Sequence, residues 1–222
     1  MGRPPLDVSL YLVTDTRMCG ALGVVATVAA AVGAGVTVVQ LRDPACPDDE
    51  LVALGRTVAR ELAGSGVPLL VNDRVELVEA IGADGAHVGQ GDLDVVSVRR
   101  RLGPDAYLGL SVQTLHHVGL ARETGTGLVD YLGVGPVWPQ STKPDAATPA
   151  GLDRLATIVA NSPWPCVAIG GVGPGRVRLA RRTGAAGVAV VSAVCGQSDP
   201  AAATRRLRAE WEQAQWDAEE PS

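Results

Sequence analysis

The sequence predicts an α/β protein, a single TIM barrel in which eight parallel strands alternate with eight helices. Short, uniformly apolar runs alternate with helical patterns along the chain, and such runs are typical of strands that are covered on both faces. One junction also recurs: a helix end, a glycine, a small residue, a second glycine and a further apolar run. The first glycine suits the left-handed end of a helix, and the second suits a tight turn into the next strand.

The predicted elements follow one another in regular alternation. The strands are predicted at Leu10–Val13, Val36–Leu41, Pro68–Val71, Ala86–Val88, Leu108–Ser111, Tyr131–Val134, Val167–Ile169 and Val188–Val191. The helices are predicted at Ala21–Val32, Asp48–Ala63, Val75–Ile81, Leu93–Leu102, Thr114–Thr124, Gly151–Asn161, Pro174–Thr183 and Asp199–Trp216. A doubly wound open sheet has similar local signals, but eight short units in 222 residues favour closure into a barrel.

Length and charge limit the domain count and the class of partner. The chain has 222 residues, of which 46% are hydrophobic, and barrels of this kind begin near ~200 residues. We therefore expect one domain over residues 1–222, with a short disordered acidic tail at about 217–222. The formal net charge of −5 gives no basic footprint, which argues against nucleic acid as the main partner.

Neither a membrane span nor a disulfide framework is expected. The apolar run from Val24 to Val39 is shorter than the ~20 residues that a span needs, and glycines interrupt it. The four cysteines lie far apart and form no C-x-x-C pair, which argues against a zinc site and against a secreted disulfide-rich protein. A reducing cytoplasm is the expected location.

Polar residues follow the predicted strands, where the active sites of parallel barrels are built. Asp73 and Asp92 follow the third and fourth strands, one βα unit apart, and two carboxylates there can share a divalent cation. Each aspartate also comes next to a predicted helix, so capping of that helix is an alternative for both. Arg42 follows the second strand and Lys143 lies in a long polar loop after the sixth; both side chains suit an anionic ligand.

Several blocks of sequence together resemble the thiamine-phosphate synthase family. They are YLVTD from residue 11, VQLR from 39, NDRVELVEAIGADGAHVGQGDL from 72, LGLS from 108, DYLGVGPVWPQSTKPDA from 130, AIGGV from 168 and VAVVSA from 188. The third and fifth blocks are the most specific, whereas many phosphate-binding barrels contain the AIGGV block. The resemblance implies a transferase that joins a pyrimidine diphosphate to a thiazole phosphate and releases diphosphate. It also implies that diphosphate departs first and that the thiazole nitrogen then captures the resulting pyrimidine cation.

The resemblance also implies roles for individual residues. The Mg²⁺ ligands would be Asp73 and Asp92. The pyrimidine diphosphate would be bound by Gln40, Arg42, Asn72, Ser111 and Lys143, with Arg42, Ser111 and Lys143 taking part in catalysis. The thiazole phosphate would be bound by Gln140, Ser141, Thr142, Gly171, Val191 and Ser192. As alternatives, Asn72 and Ser111 could satisfy backbone groups at the strand ends, and Gly171 could belong to a plain tight turn.

The chain departs from the family pattern at three positions, and two rival functions stay open. Pro44 stands where the family usually has a lysine, and Gln113 and Gln140 replace other usual residues. A thiazole tautomerase, which lacks diphosphate chemistry, is favoured weakly by Pro44 and opposed by the Asp73 and Asp92 pair. A non-catalytic barrel that binds thiamine precursors is the second rival. The partners implied are small molecules, and a homo-oligomer is allowed.

Histidines and tryptophans outside these blocks are expected to have structural roles. His87 lies in the middle of a predicted strand, where a hydrogen-bonded core imidazole is a better interpretation than a catalytic base. His116 and His117 are expected on the surface of a helix. Trp211 and Trp216, five residues apart on the last helix, suit packing or an oligomer contact rather than a ligand site.

Overall fold

A computed structural model of the chain describes residues 4–91, 94–140 and 148–219, the last five by their backbone alone. Eight strands form a closed barrel in which each strand pairs in parallel with its neighbours in the sequence, and the first pairs with the eighth. The strands are β1 Leu10–Val13, β2 Val38–Leu41, β3 Leu69–Asn72, β4 Gly85–Val88, β5 Tyr107–Val112, β6 Tyr131–Val134, β7 Cys166–Ala168 and β8 Gly187–Val190. The predicted TIM barrel is confirmed.

Helices cover the outside of the barrel. The α-helices are α1 Thr16–Cys19, α2 Gly23–Val32, α3 Asp48–Leu62, α4 Val78–Ile81, α5 Val95–Leu102, α6 Leu115–Thr124, α7 Gly151–Asn161, α8 Val177–Arg182 and α9 Pro200–Glu219. Two short 3₁₀ turns, Gly20–Leu22 and Val75–Leu77, precede α2 and α4. Within the part of the chain that the structure describes, no helix is long and apolar enough to cross a membrane.

The core has two layers because successive side chains of a strand point to opposite faces. In β1, Leu10 and Leu12 belong to the large cluster between barrel and helices. Tyr11 and Val13 belong instead to a smaller cluster inside the barrel, which also contains Val38, Leu70, Tyr131, Val167 and Ala189. The inner cluster therefore includes two buried tyrosines, and their hydroxyl groups need partners there.

Most differences from the predicted bounds have local causes. Strand β2 begins at Val38 rather than Val36 because the backbone N–H of Val36 donates to Ala31 at the end of α2, 3.1 Å away. Helix α8 begins at Val177 rather than Pro174, since Gly175 has a φ of +80°, which a helix does not allow. Helix α9 continues to Glu219, past the predicted end at Trp216. The disordered tail near the end of the chain stays a prediction.

Candidate active site

A cavity of about 870 Å³ opens at the carboxyl ends of the strands, the face where barrel active sites lie. This volume is in the usual range for small-molecule sites. Nine of the predicted site residues line it, namely Gln40, Arg42, Asn72, Asp73, Ser111, Gln140, Gly171, Val191 and Ser192. The other four, Asp92, Ser141, Thr142 and Lys143, lie outside the described residues. The predicted positions that can be described therefore all border one cavity.

Arg42 is the cation on the β2 side of the cavity. Its backbone N–H donates to the hydroxyl of Thr14, 3.0 Å away, which fixes the chain at the end of β2. Its guanidinium lies 4.0 Å from the carboxylate of Asp15, too far for a hydrogen bond, and Asp15 also caps α1 by accepting from the N–H of Met18. The side chain is only 16% exposed, so the planar set of donors at its end faces a restricted space suited to an anion.

The loop after Arg42 is held by Arg74. The guanidinium of Arg74 donates to three carbonyls of this loop, those of Asp43, Pro44 and Cys46, and pairs with Asp48 at 3.0 Å. Pro44, which replaces the family's usual lysine, therefore lies in a loop whose backbone is fixed by another residue's charge. Arg74 stabilises the connection that follows Arg42, and the described cavity lining does not include it.

Asp73 lies at the end of β3 in an unusual backbone conformation. Its φ is +59°, the left-handed region that non-glycine residues rarely adopt. Its backbone N–H donates to the carbonyl of His87 at 2.9 Å, and its carboxylate accepts from the side-chain amide of Asn72 at 2.6 Å. The 3₁₀ turn that follows begins at Val75 and has no side-chain cap. Asp73 therefore does not cap the helical turn that follows it, and its carboxylate borders the cavity instead.

Asp92 is not the residue that caps α5. The residue that caps α5 is Asp94, whose carboxylate accepts from the N–H of Ser97 at 3.0 Å. These bonds lower the pKa of Asp94 below its ordinary value, the side chain of Ser97 being the largest cause. Within the described ranges, no group of three or more histidine, cysteine or acidic side chains could hold a metal ion by itself.

Five side chains are joined by hydrogen bonds across the floor of the cavity, which is the inside of the barrel. Gln40 donates to the hydroxyl of Tyr11 at 2.8 Å, and this hydroxyl lies 2.7 Å from that of Tyr131. His87 contacts the Tyr131 hydroxyl through Nδ1 at 2.8 Å and the Ser111 hydroxyl through Nε2 at 2.9 Å. His87 is thus a buried, hydrogen-bonded imidazole, as expected, but it also lines the cavity.

Both tyrosines were missed as site residues. Each follows the alternation of its strand into the barrel, where a tyrosine in an otherwise apolar strand is the signal that could have identified it. His117 needs a correction: it lies on α6 as predicted, but it is half-buried and borders the cavity. Burial, and to a lesser degree the neighbouring His116, lowers the pKa of the His117 imidazole. Trp211 packs in the core beneath Arg181 rather than at a ligand site.

The opposite side of the cavity is formed by the ends of β7 and β8. Gly170 and Gly171 have φ values of +91° and +68°, and a Cβ on either would lie 2.5 Å from the neighbouring loop, at Pro136 and Pro139 respectively. Only glycine therefore fits at either position. This turn also brings two loops into close contact, so it is not the plain tight turn given above as the alternative for Gly171.

Arg176 is a second cation at the cavity, and the sequence patterns did not identify it. Its guanidinium donates to the carbonyl of Gly171 at 2.5 Å and lies 5.4 Å from the centre of the Trp138 ring. Gln197, also at the cavity, donates to the carbonyl of Ser192 at 2.8 Å. The arrangement puts a positive charge beside Gly171, in the cavity that Ser192 also lines, where an anion would be attracted.

Comparison with known proteins identifies the family. The family model described as thiamine monophosphate synthase matches residues 10–194. The chain belongs to this family. A thiamine-phosphate synthase of Psychrobacter sp. (strain PRwf-1) is 45% identical over 202 residues, which are 91% of this chain and 94% of that protein. One from Desulfitobacterium hafniense (strain DSM 10664 / DCB-2) is 43% identical over 206 residues, 93% of this chain and 98% of that protein.

A solved structure of a thiamine-phosphate synthase has the same fold. Thiamine phosphate pyrophosphorylase from Pyrococcus furiosus superposes with a TM-score of 0.84 at 33% identity, covering 94% of this chain and 98% of that one. The family membership that the sequence blocks predict is therefore confirmed. The chain is an enzyme of the transferase class. The relatives carry the name of the synthase rather than of either rival function.

Proposed function

We propose that this enzyme joins 4-amino-2-methyl-5-(diphosphooxymethyl)pyrimidine to a thiazole phosphate, giving thiamine phosphate and diphosphate. The observation that carries the proposal is that one cavity borders both predicted sets of binding residues, with Arg42, Asn72 and Asp73 on one side and Gly171 and Ser192 on the other. Two anionic substrates can then meet with their reacting ends between the two sides. Holding both in one orientation removes much of the entropic cost of the reaction.

The diphosphate of the first substrate binds on the Arg42 side. Arg42 can donate two parallel hydrogen bonds to diphosphate oxygens, and Lys143, which follows β6 in the sequence, adds a second charge. Negative charge increases on the diphosphate as it departs, so cations that are fixed before the reaction stabilise the transition state more than the bound substrate. Ser111, at the end of β5, contributes a hydroxyl to the same substrate.

The oxygen ligands on the Arg42 side of the cavity suit Mg²⁺. This ion binds carboxylate and phosphate oxygens, is usually held by one or two carboxylates together with substrate phosphates, and keeps several waters. The Asp73 carboxylate is exposed at the cavity, beside the Asn72 amide that orients it. Asp73 and Asp92 would hold the ion, which when bound neutralises charge on the diphosphate.

The phosphate of the second substrate binds on the Gly171 side. The absence of a side chain at Gly171 lets a phosphate approach the backbone closely, and Ser192 adds a hydroxyl donor. Arg176, hydrogen-bonded to the carbonyl of Gly171, supplies the positive charge that the phosphate needs. Gln140 and Val191 border the thiazole itself, and Ser141 and Thr142, which follow Gln140 in the sequence, complete the set.

The reaction breaks one bond and forms another. The bond between the pyrimidine methylene carbon and the diphosphate oxygen breaks, and its electron pair leaves with the diphosphate. The lone pair of the thiazole nitrogen then forms a bond to the same carbon. Val13, Val167 and Ile169 form apolar walls of the cavity, and they limit the water that would otherwise capture the cation and give an alcohol.

The test is product analysis with purified protein, both substrates and Mg²⁺. We expect thiamine phosphate and diphosphate in equal amounts. Isomerisation of the thiazole without thiamine phosphate would support the tautomerase instead. Tight binding of the thiazole phosphate with no diphosphate release at any Mg²⁺ concentration would support the non-catalytic barrel. A cytoplasmic location, a single domain over the whole chain and assembly into a homo-oligomer remain predictions.

A further inference from the structure

An order of protons along the hydrogen-bonded chain across the floor of the barrel can be inferred from the direction of its first bond, which Gln40 donates. Gln40 uses an amide N–H toward Tyr11, so the Tyr11 oxygen is the acceptor of that bond. Burial raises the pKa of both phenols above the ordinary value, so each keeps its single proton at neutral pH. The Tyr11 proton cannot point at the amide donor, and the nearby acceptor is the oxygen of Tyr131.

The order of the remaining protons follows from that first bond. Because the Tyr131 oxygen accepts from Tyr11, its own proton is donated to Nδ1 of His87, 2.8 Å away. A neutral imidazole carries one proton, which must then be on Nε2. Nε2–H donates to the Ser111 hydroxyl oxygen at 2.9 Å. The reverse order would leave a buried proton of Tyr11 directed at the Gln40 amide donor, which buried polar groups avoid.

The ring of His87 is held in place by two glycines on the neighbouring strands. A Cβ at Gly109 would lie under 3.0 Å from Nδ1 of His87 and from the Tyr131 hydroxyl, and a Cβ at Gly133 would lie 2.9 Å from Cε1 of His87. The ring therefore occupies space that exists because both residues lack side chains.

We propose that Tyr131, ordered by Tyr11 and Gln40, is a positioning residue that keeps His87 in the Nε2–H form and makes the Ser111 hydroxyl a hydrogen-bond donor to the substrate. With its oxygen accepting from His87, Ser111 directs its proton into the cavity, where an anionic oxygen of the pyrimidine diphosphate can accept it. This inference rests on the proposed function for the identity of the acceptor. The order of protons itself is a property of the free enzyme.

The test combines the tautomer of His87 with kinetics. In ¹⁵N-labelled free enzyme, long-range proton–nitrogen correlations distinguish a protonated from an unprotonated ring nitrogen, and the His87 signal is assigned by its loss in His87→Gln. We expect Nε2–H in the parent. In Tyr131→Phe we expect this preference to be lost and kcat to fall by about 10- to 100-fold, which is less than the roughly 100- to 1,000-fold loss that follows removal of a transition-state donor itself. KM for the pyrimidine diphosphate should change by less than about threefold, because ground-state contacts remain.

Tyr107→Phe is the matched control. Tyr107 is the only other tyrosine, and its hydroxyl donates to Pro4 at the opposite end of the barrel at 3.0 Å. It should leave both the tautomer and kcat unchanged. A parent enzyme with Nδ1–H would overturn the proposal even without a variant. So would a Tyr131→Phe enzyme that loses activity with an unchanged tautomer, or one with a changed tautomer and full kcat. Since the tautomer is read without substrate, failure of the proposed function is recognised separately, as absence of thiamine phosphate from the parent.

Discussion

Gly109→Ala tests how tightly the floor of the cavity is built. Gly109 lies on β5, paired with Tyr131 on β6 and with His87 on β4. A Cβ there would lie under 3.0 Å from atoms of both side chains, where ordinary contacts are 3.4–4 Å. Tyr131 is 1% exposed and bonded through its hydroxyl to two partners, so it cannot move away without breaking these bonds.

The size of the effect follows from this geometry. Overfilling a packed core costs about 1–3 kcal/mol, and three close contacts, two with Tyr131 and one with His87, favour the upper end. Each buried hydrogen bond that breaks adds about 1 kcal/mol. The free energy of unfolding should therefore fall by about 3–5 kcal/mol, which for a chain of this length lowers Tm by roughly 10 °C.

The assay is thermal unfolding followed by circular dichroism, with Gly119→Ala as the control. Gly119 lies within α6, and a Cβ there would meet no atom within 4 Å. Because alanine favours a helix over glycine by about 0.5–1 kcal/mol, that variant should unfold at a slightly higher temperature than the parent. A Gly109→Ala protein with a Tm within about 2 °C of the parent would refute the account of the floor, since the predicted loss is several times larger.

Three further predictions concern separate parts of the site. Asp73→Gly should raise the free energy of unfolding by about 1 kcal/mol, because glycine adopts the φ of +59° without strain. Mg²⁺-dependent turnover should fall in the same variant. A variant that urea titrations show to be less stable than the parent would contradict the prediction. Arg176→Gln should raise KM for the thiazole phosphate about tenfold and leave KM for the pyrimidine diphosphate unchanged, and equal effects on both would be evidence against its assignment. The free energy of unfolding should fall as pH rises above about 10, because the phenols ionise in the unfolded chain while burial keeps Tyr11 and Tyr131 protonated in the folded one. Tm measured from pH 9 to 11 should therefore fall less steeply in Tyr131→Phe than in the parent. Equal slopes would contradict the raised pKa of the Tyr131 phenol.

The barrel and part of the site could be predicted from the sequence because each rests on local patterns. Strands covered on both faces are uniformly apolar, so β1 and β6 were placed with their observed bounds, Leu10–Val13 and Tyr131–Val134. Strand ends of a parallel barrel meet at one face, so Arg42, Asn72 and Asp73 were expected together, and they do border one cavity.

The rest depended on conformations that no periodic pattern encodes. Tyr11 and Tyr131 contact each other across the inside of the barrel although they are 120 residues apart, and a single tyrosine in an apolar strand resembles an ordinary core residue. Arg176 reaches the cavity because of the turn formed by Gly170 and Gly171 at positive φ. The left-handed backbone of Asp73, which removes it from the role of a helix cap, is likewise a conformation that no sequence pattern encodes.

Measuring both products in a single reaction tests the central claim most directly. Purified enzyme is incubated with the pyrimidine diphosphate, the thiazole phosphate and Mg²⁺, and diphosphate and thiamine phosphate are quantified over time. The account predicts one diphosphate released for each thiamine phosphate formed, with thiamine phosphate absent when either substrate is omitted and turnover lost when the metal is chelated. Undiminished thiamine phosphate formation in the presence of a chelator would contradict the metal assignment, and no thiamine phosphate with both substrates and Mg²⁺ present would contradict the proposed function itself.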